Sequence, residues 1–266
     1  MGPRRTGRVA VATGLAVLVA GCGPGDAGPR PAMTSLAPPP AARAAEPTAV
    51  AVPDAQAVRD TGAPFGAGPQ GAGALLLVDG ATVQEQDAGD GSTHRTVAAA
   101  PGVVAWVAPP HAGRVEVQPD GSATLHDEAG TVVTALGAPV GADGDPAVWR
   151  PHGDVLALDV ATGPVSFVVG TDALLSAVWG DADGGPSLLV SPQPWVRRGS
   201  TAAQHALVSQ VQVAAPEAAA ASMQAQLWCH LLGAPDKDSW NIEPWRPEVG
   251  TLTMLATGCN PTDADA

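Results

Sequence analysis

Ten of the chain's 27 prolines fall between residues 23 and 70, at positions 24, 29, 31, 38, 39, 40, 47, 53, 64 and 69. Each fixes φ and removes a backbone donor, so neither a helix nor a central strand can run far through the stretch. The remaining residues are mostly Ala, Gly, Thr and Val, with no period of 2 or 3.6. Residues 22–70 therefore read as a disordered, partly polyproline-extended tether. Fully drawn out it would reach roughly 150 Å. A packed core must come from residues 71–262.

Residues 1–21 read as a secretory signal peptide. Arg4, Arg5 and Arg8 form a positive n-region, and Val9 to Ala20 form an apolar run too short to span a bilayer. Val19-Ala20-Gly21-Cys22 resembles the lipobox of bacterial lipoproteins, in which the peptide is cut before the cysteine and its sulfur receives a diacylglycerol. That resemblance implies lipidation at Cys22, a membrane partner reached through the lipid anchor, and a place on the outer, extracytoplasmic face of the cell membrane. The acyl chains would have to hold it there alone. The chain carries 13 basic and 26 acidic residues, a net charge of −13. Removing residues 1–21 takes away three arginines and no acid, leaving 10 − 26 = −16. Such a balance excludes a nucleic-acid partner and a polybasic membrane-surface module, because both need a dense cationic face.

Residues 71–170 read as an antiparallel β-rich region. Short Val- and Leu-rich runs cover Ala74–Asp79, Gly102–Val107, Arg114–Gln118, Ser122–Asp127, Thr131–Leu136, Val155–Val160 and Val165–Val169. Pro119-Asp120-Gly121 and Asp127-Glu128-Ala129-Gly130 join neighbouring runs with tight-turn chemistry. These features predict a meander. The acidic turns Asp87–Ser92, Ala142–Asp145 and Asp181–Gly185 lack the alternating oxygen ligands of a calcium loop. His94, His111, His126 and His152 have no i, i+2 or i, i+4 partner. The sequence assigns no metal site and no cofactor.

Residues 171–262 hold five of the seven tryptophans. Leu174–Trp179 and Ser187–Ser191 read as two strands. Ser200 caps a helix over Thr201–Ala214 with an apolar stripe of Ala203, Leu207 and Val211, and His205 on the opposite face. A second helix begins near Glu217 or Ser222 and runs to Leu232. Met223, Leu227 and Leu231 fall on one line and Ala225, Trp228, Cys229 and Leu232 widen the apolar arc, so the helix is expected at the centre of the domain. Thr251–Ala256 reads as a last strand or short helix. With Cys22 assigned to lipid, Cys229 and Cys259 remain as an even pair in an oxidising compartment, which predicts a disulfide. A Cys229–His230 nucleophile pair is the alternative, but adjacent helical residues point about 100° apart. The fold class is thus α+β: a β-rich antiparallel region, then a disulfide-pinned α+β C-terminal domain with one or two helices. No linker near residue 170 says whether these are one domain or two.

The C-terminal words are Ser222-Met223, Gln226-Leu227-Trp228-Cys229-His230, Lys237, Trp240-Asn241-Ile242-Glu243-Pro244-Trp245-Arg246-Pro247 and Cys259-Asn260-Pro261. In this order they resemble the C-terminal domain of many secreted and lipid-anchored actinobacterial proteins, known as domain of unknown function 2599. The resemblance covers about a third of the chain and implies a fold and a compartment, not a reaction. His230, Lys237, Trp240, Glu243, Trp245 and Arg246 form the candidate binding surface for an envelope protein or a glycan. Exposed Trp and Arg make good anchors. The alternative is a cell-envelope hydrolase using Glu243 and His230 as acid–base groups. No G-x-S-x-G, H-E-x-x-H, P-loop or S-x-x-K motif is present, and no residue is assigned as catalytic.

Overall fold

The computed structural model describes residues 51–66, 71–182 and 184–266, which form one compact unit. The signal peptide, Cys22 and the tether as far as residue 50, with residues 67–70, lie outside the described residues.

The fold class is α+β, and every strand pairing among the described residues is antiparallel. The upstream region is two packed sheets rather than a single meander. One sheet has the order β1 (Ala63–Pro64), β2 (Ala74–Leu77), β5 (Gly102–Ala108), β11 (Val155–Val160), β10 (Ala147–His152). The other runs β3 (Thr82–Asp87), β4 (Thr93–Ala98), β12 (Val165–Gly170), β8 (Val132–Leu136), β7 (Ala123–His126), β6 (Arg114–Val117), with β9 (Val140–Gly141) also on β12. Leu75, Leu156 and Leu158 of the first sheet meet Leu125, Leu136 and Phe167 of the second in a shared core. Sequence periodicity reveals neither β3 nor β4. β3 reads Thr-Val-Gln-Glu-Gln-Asp and is an exposed edge strand with almost nothing to bury.

β11 is buried at five of its six positions, because both faces of its sheet are covered. The second cover is α1 (Ala55–Thr61), whose Val58 packs on Trp106, Ala108, Val155 and Ala157. This corrects the tether reading for residues 51–66. Pro53 precedes the N-cap Asp54, whose carboxylate accepts from Ala57 N at 2.7 Å, and Pro64 lies on an edge strand. At both places the missing N–H costs nothing. Phe65 is fully buried, its ring 4.7 Å beneath the Arg95 guanidinium.

The C-terminal part has a third sheet, β13 (Leu174–Ala182), β14 (Gly185–Pro192), β15 (Trp240–Ile242). Around it lie α2 (Pro194–Arg197), α3 (Thr201–Ala214), α4 (Ala221–Gly233) and α5 (Thr251–Ala256). Ser200 caps α3 as its sequence predicts, accepting from Ala203 N. Asp120, in the Pro-Asp-Gly turn, accepts from Thr201 N at 2.7 Å, so a turn of the second sheet also caps this helix. The Gln210 amide bridges α3 to Ala173 N, Thr171 O and Val132 O. Val132 and Ala135 of β8 enter the same apolar cluster as Leu188, Leu207, Met223 and Leu227. α4 is covered by this cluster on one side. On the other lie Met254 and the Cys229–Cys259 disulfide, with an S–S length of 2.04 Å. One expectation needs correction: Leu232 is 72% exposed, so the arc of α4 is only partly covered. His205, on the face of α3 opposite the apolar stripe, meets Trp228 edge-on.

Candidate functional site

Gln226, in the middle of α4, is fully buried. Its amide pairs with the backbone of Glu243 in both directions: Nε2 donates to Glu243 O at 2.8 Å, and Oε1 accepts from Glu243 N at 3.0 Å. This clamp fixes the strand–turn that follows β15. The Glu243 carboxylate is then taken up on both oxygens. Oε1 accepts from Ser187 Oγ at 3.0 Å and Oε2 from Arg246 Nε at 2.6 Å. Arg246 also donates to Pro261 O at 3.2 Å, tying down the segment after the disulfide. Both members of the ion pair are buried. A buried, hydrogen-bonded pair of this kind fixes a unique arrangement and is costly to break from one side.

Trp245 lies half exposed across the ion pair. Its Nε1 donates to Pro186 O, and the Arg246 guanidinium sits 4.6 Å from its ring. A Cβ at position 185 would come within 2.5 Å of this ring, so glycine there permits the approach. Trp240 is buried at 2% exposure, donates Nε1–H to Ala234 O at 3.0 Å, and stacks parallel to His230 at 6.1 Å.

His230 is buried and donates Nε2–H to Asn241 O at 3.2 Å. That bond sets the tautomer and leaves Nδ1 as a buried acceptor with no partner among the described residues. Burial is the main reason its pKa falls to about 4, with the neighbouring Lys237 and Arg246 charges acting in the same direction. The imidazole is therefore neutral at pH 7.

Beside it opens a cleft of about 270 Å³, lined by Leu189, His230, Lys237, Ser239, Asn241 and Asn260 together with the edges of Trp240 and Glu243. Lys237 is exposed at this cleft and makes no ion pair among the described residues. The six candidates are thus brought together, but not as one exposed surface. His230, Trp240, Glu243 and Arg246 are internal, which corrects their reading as exposed anchors. Only Lys237 and Trp245 face outward. Sequence reasoning missed Ser187, Gln226 and Asn260 as members of the site. Gln226 alone carried a signal, as a polar residue on the apolar line of a helix.

Nothing among the described residues of this arrangement presents a free carboxylate beside an acid or a nucleophile. What it offers is a tied-down framework around a small polar cleft with one ammonium group. Residues 174–262 match the family described as Protein of unknown function (DUF2599). The DUF2599 segment begins at the first residue of β13 and takes in the third sheet, the disulfide and the cleft, and leaves out the two packed sheets. Over 93 residues the chain is 45% identical to the uncharacterized proteins Mb0487 of Mycobacterium bovis and Rv0477 of Mycobacterium tuberculosis, covering 32% of this chain and 61% of each relative. Over 50 residues it is 44% identical to the uncharacterized protein ML2452 of Mycobacterium leprae, covering 17% of this chain and 41% of that relative. The chain thus spans about three-fifths of the length of the first two relatives. No solved structure matches it.

Proposed function

We propose that this protein is a non-enzymatic binding module held on the outer face of the cell membrane by a lipid on Cys22, and that its DUF2599 segment binds the anionic group of an envelope glycan. The cleft carries this reading. Its one carboxylate, Glu243, is neutralised by Arg246 and takes a further hydrogen bond from Ser187, and its one exposed cation, Lys237, has no counter-ion among the described residues. The cleft therefore offers an anion one unpaired ammonium group, on a protein of net charge −13. Asn260, Asn241 and Ser239 surround the ammonium with groups able to hydrogen-bond hydroxyls. The hydrolase reading has less support, since a general acid or base needs a carboxyl group with a free oxygen at the substrate.

Titration calorimetry with a uronic-acid oligosaccharide tests the binding. The acidic oligosaccharide should bind and its neutral, reduced counterpart should not, and Lys237→Ala should abolish binding without changing the melting temperature. Equal binding by Lys237→Ala would refute the cleft. Intact mass of the membrane-extracted protein tests the address: a diacylated Cys22 supports it, and an unmodified thiol refutes it.

A further inference from the structure

β13 pairs with β14 on one side and, among the described residues, with nothing on the other. Ala182 and Gly185 flank a two-residue connection and pair with each other. In such a hairpin the flanking pair exchanges both hydrogen bonds, and bonded and non-bonded pairs alternate from there. Ser176, Val178 and Gly180 thus bond to β14, while Ala177, Trp179 and Asp181 turn their N–H and C=O groups outward. The same alternation directs the carbonyl of Asn241 to the outer edge of β15, where His230 Nε2 meets it. No group among the described residues does the same for Ala177, Trp179 or Asp181.

Proteins blunt such edges by keeping them short or by placing Lys or Pro on them. β13 has nine residues and contains no Lys, Arg or Pro. Leu175, Val178 and Trp179 are 58, 57 and 40% exposed along it. An edge of this length with exposed apolar side chains on both faces is complementary to an added extended strand.

Charge selects the occupant. Asp172, just before the strand, and Asp181, near its end, are exposed and make no ion pair among the described residues. They stand nine residues apart, roughly 30 Å of extended chain. No Lys, Arg or His occurs between residues 153 and 196. A second copy of this chain, itself at net −13, would bring like charges to the edge. We propose that the open edge of β13 docks an extended segment of a partner protein, β-branched at its centre and carrying Lys or Arg at its ends, which adds as a fourth strand to the third sheet. This surface lies at the opposite edge of the sheet from the cleft and is independent of it.

Fluorescence anisotropy of a dye-labelled peptide, Lys-Lys-Val-Thr-Val-Thr-Val-Lys-Lys, titrated with the full chain tests the proposal. Binding should be saturable. It should weaken by about tenfold or more when the four lysines become glutamates, and when alternate peptide amides are N-methylated. Ala177→Pro removes an outward N–H and leaves the bonds to β14 in place, so it should lose binding while melting at the wild-type temperature. Should that variant unfold early, Asp172→Asn with Asp181→Asn supplies the second measurement, an affinity that no longer falls with salt. Absence of binding, or binding indifferent to N-methylation and to Ala177→Pro, overturns the proposal. So does dimerisation of the chain in sedimentation that Ala177→Pro abolishes, which would give the edge to a second copy. Lys237→Ala should leave peptide affinity unchanged, so failure at the cleft and failure at the edge are separable.

Discussion

Replacing His230 with glutamine should remove a defined part of this protein's acid sensitivity. Burial holds the native imidazole at a pKa of about 4, against 6.5 for the free side chain. The unfolded chain therefore takes up a proton below pH 6.5 that the native chain refuses until about pH 4. The folded pKa is the lower one, so the stabilisation is whole above pH 6.5 and is lost as pH falls through that window. A separation of about 2.5 pH units at 1.36 kcal/mol each gives about 3 kcal/mol. His126, whose pKa burial also lowers, and Glu116, held down by its bond to Arg114, add to the acid loss but are common to both proteins. Glutamine retains a donor for Asn241 O and does not titrate. Urea unfolding of wild type and His230→Gln in steps from pH 7.5 to 4 isolates the difference. The wild-type curve should fall by about 3 kcal/mol more than the variant's. Two parallel curves would refute the reasoning and mean that the native imidazole is charged, or is reached by water.

Three further perturbations follow from the packing. Glu243→Ala leaves the Arg246 guanidinium buried without its carboxylate and should cost about 3–5 kcal/mol in chemical unfolding; a loss below 1 kcal/mol would mean the pair is hydrated. Phe65→Ala empties a fully buried ring from beneath Arg95 and should cost about 3–5 kcal/mol, read as a lower urea midpoint; a tether would not respond. Reduction of Cys229–Cys259, which spans a sequence separation of 30, should lower stability by about 3–4 kcal/mol on the chain-entropy account. Calorimetry with and without reductant checks it, and an unchanged melting temperature would assign α5 no structural weight.

Elements with strong local signals are legible in the sequence. α3 begins and ends where Ser200 and the residues before Pro216 place it, because a cap and a helix-breaker act on the nearest few backbone groups. The hairpin turns at Asp120-Gly121 and Asp127–Gly130 close as their residues predict. β3 is not legible, since an exposed edge strand has no reason to alternate. β4 lies inside the sheet and alternates in burial, but its inward positions include Arg95, so its hydropathy does not show the period. α1 is hidden in a proline-rich stretch because proline density averages over positions, whereas Pro53 and Pro64 each sit where a proline is harmless. The site divides the same way. The Glu243–Arg246 pair is an i, i+3 relation visible in the sequence. The partners that hold Glu243 in place, Ser187 and Gln226, lie 56 and 17 residues from it.

The sequence by itself determined the α+β class, the pairing of Cys229 with Cys259, the Ser200 cap of α3 and the similarity of the C-terminal words to one family, all of which rest on short-range chemistry or on counting. Only the tertiary structure decided that Trp240, Glu243 and Arg246 point inward, that Lys237 stands beside a cleft without a counter-ion among the described residues, and that β13 keeps an open edge. Exposure is a property of what packs against a residue. Those neighbours, brought from β14, α4 and the segment after Cys259, are set by sheet order and helix packing across the whole unit.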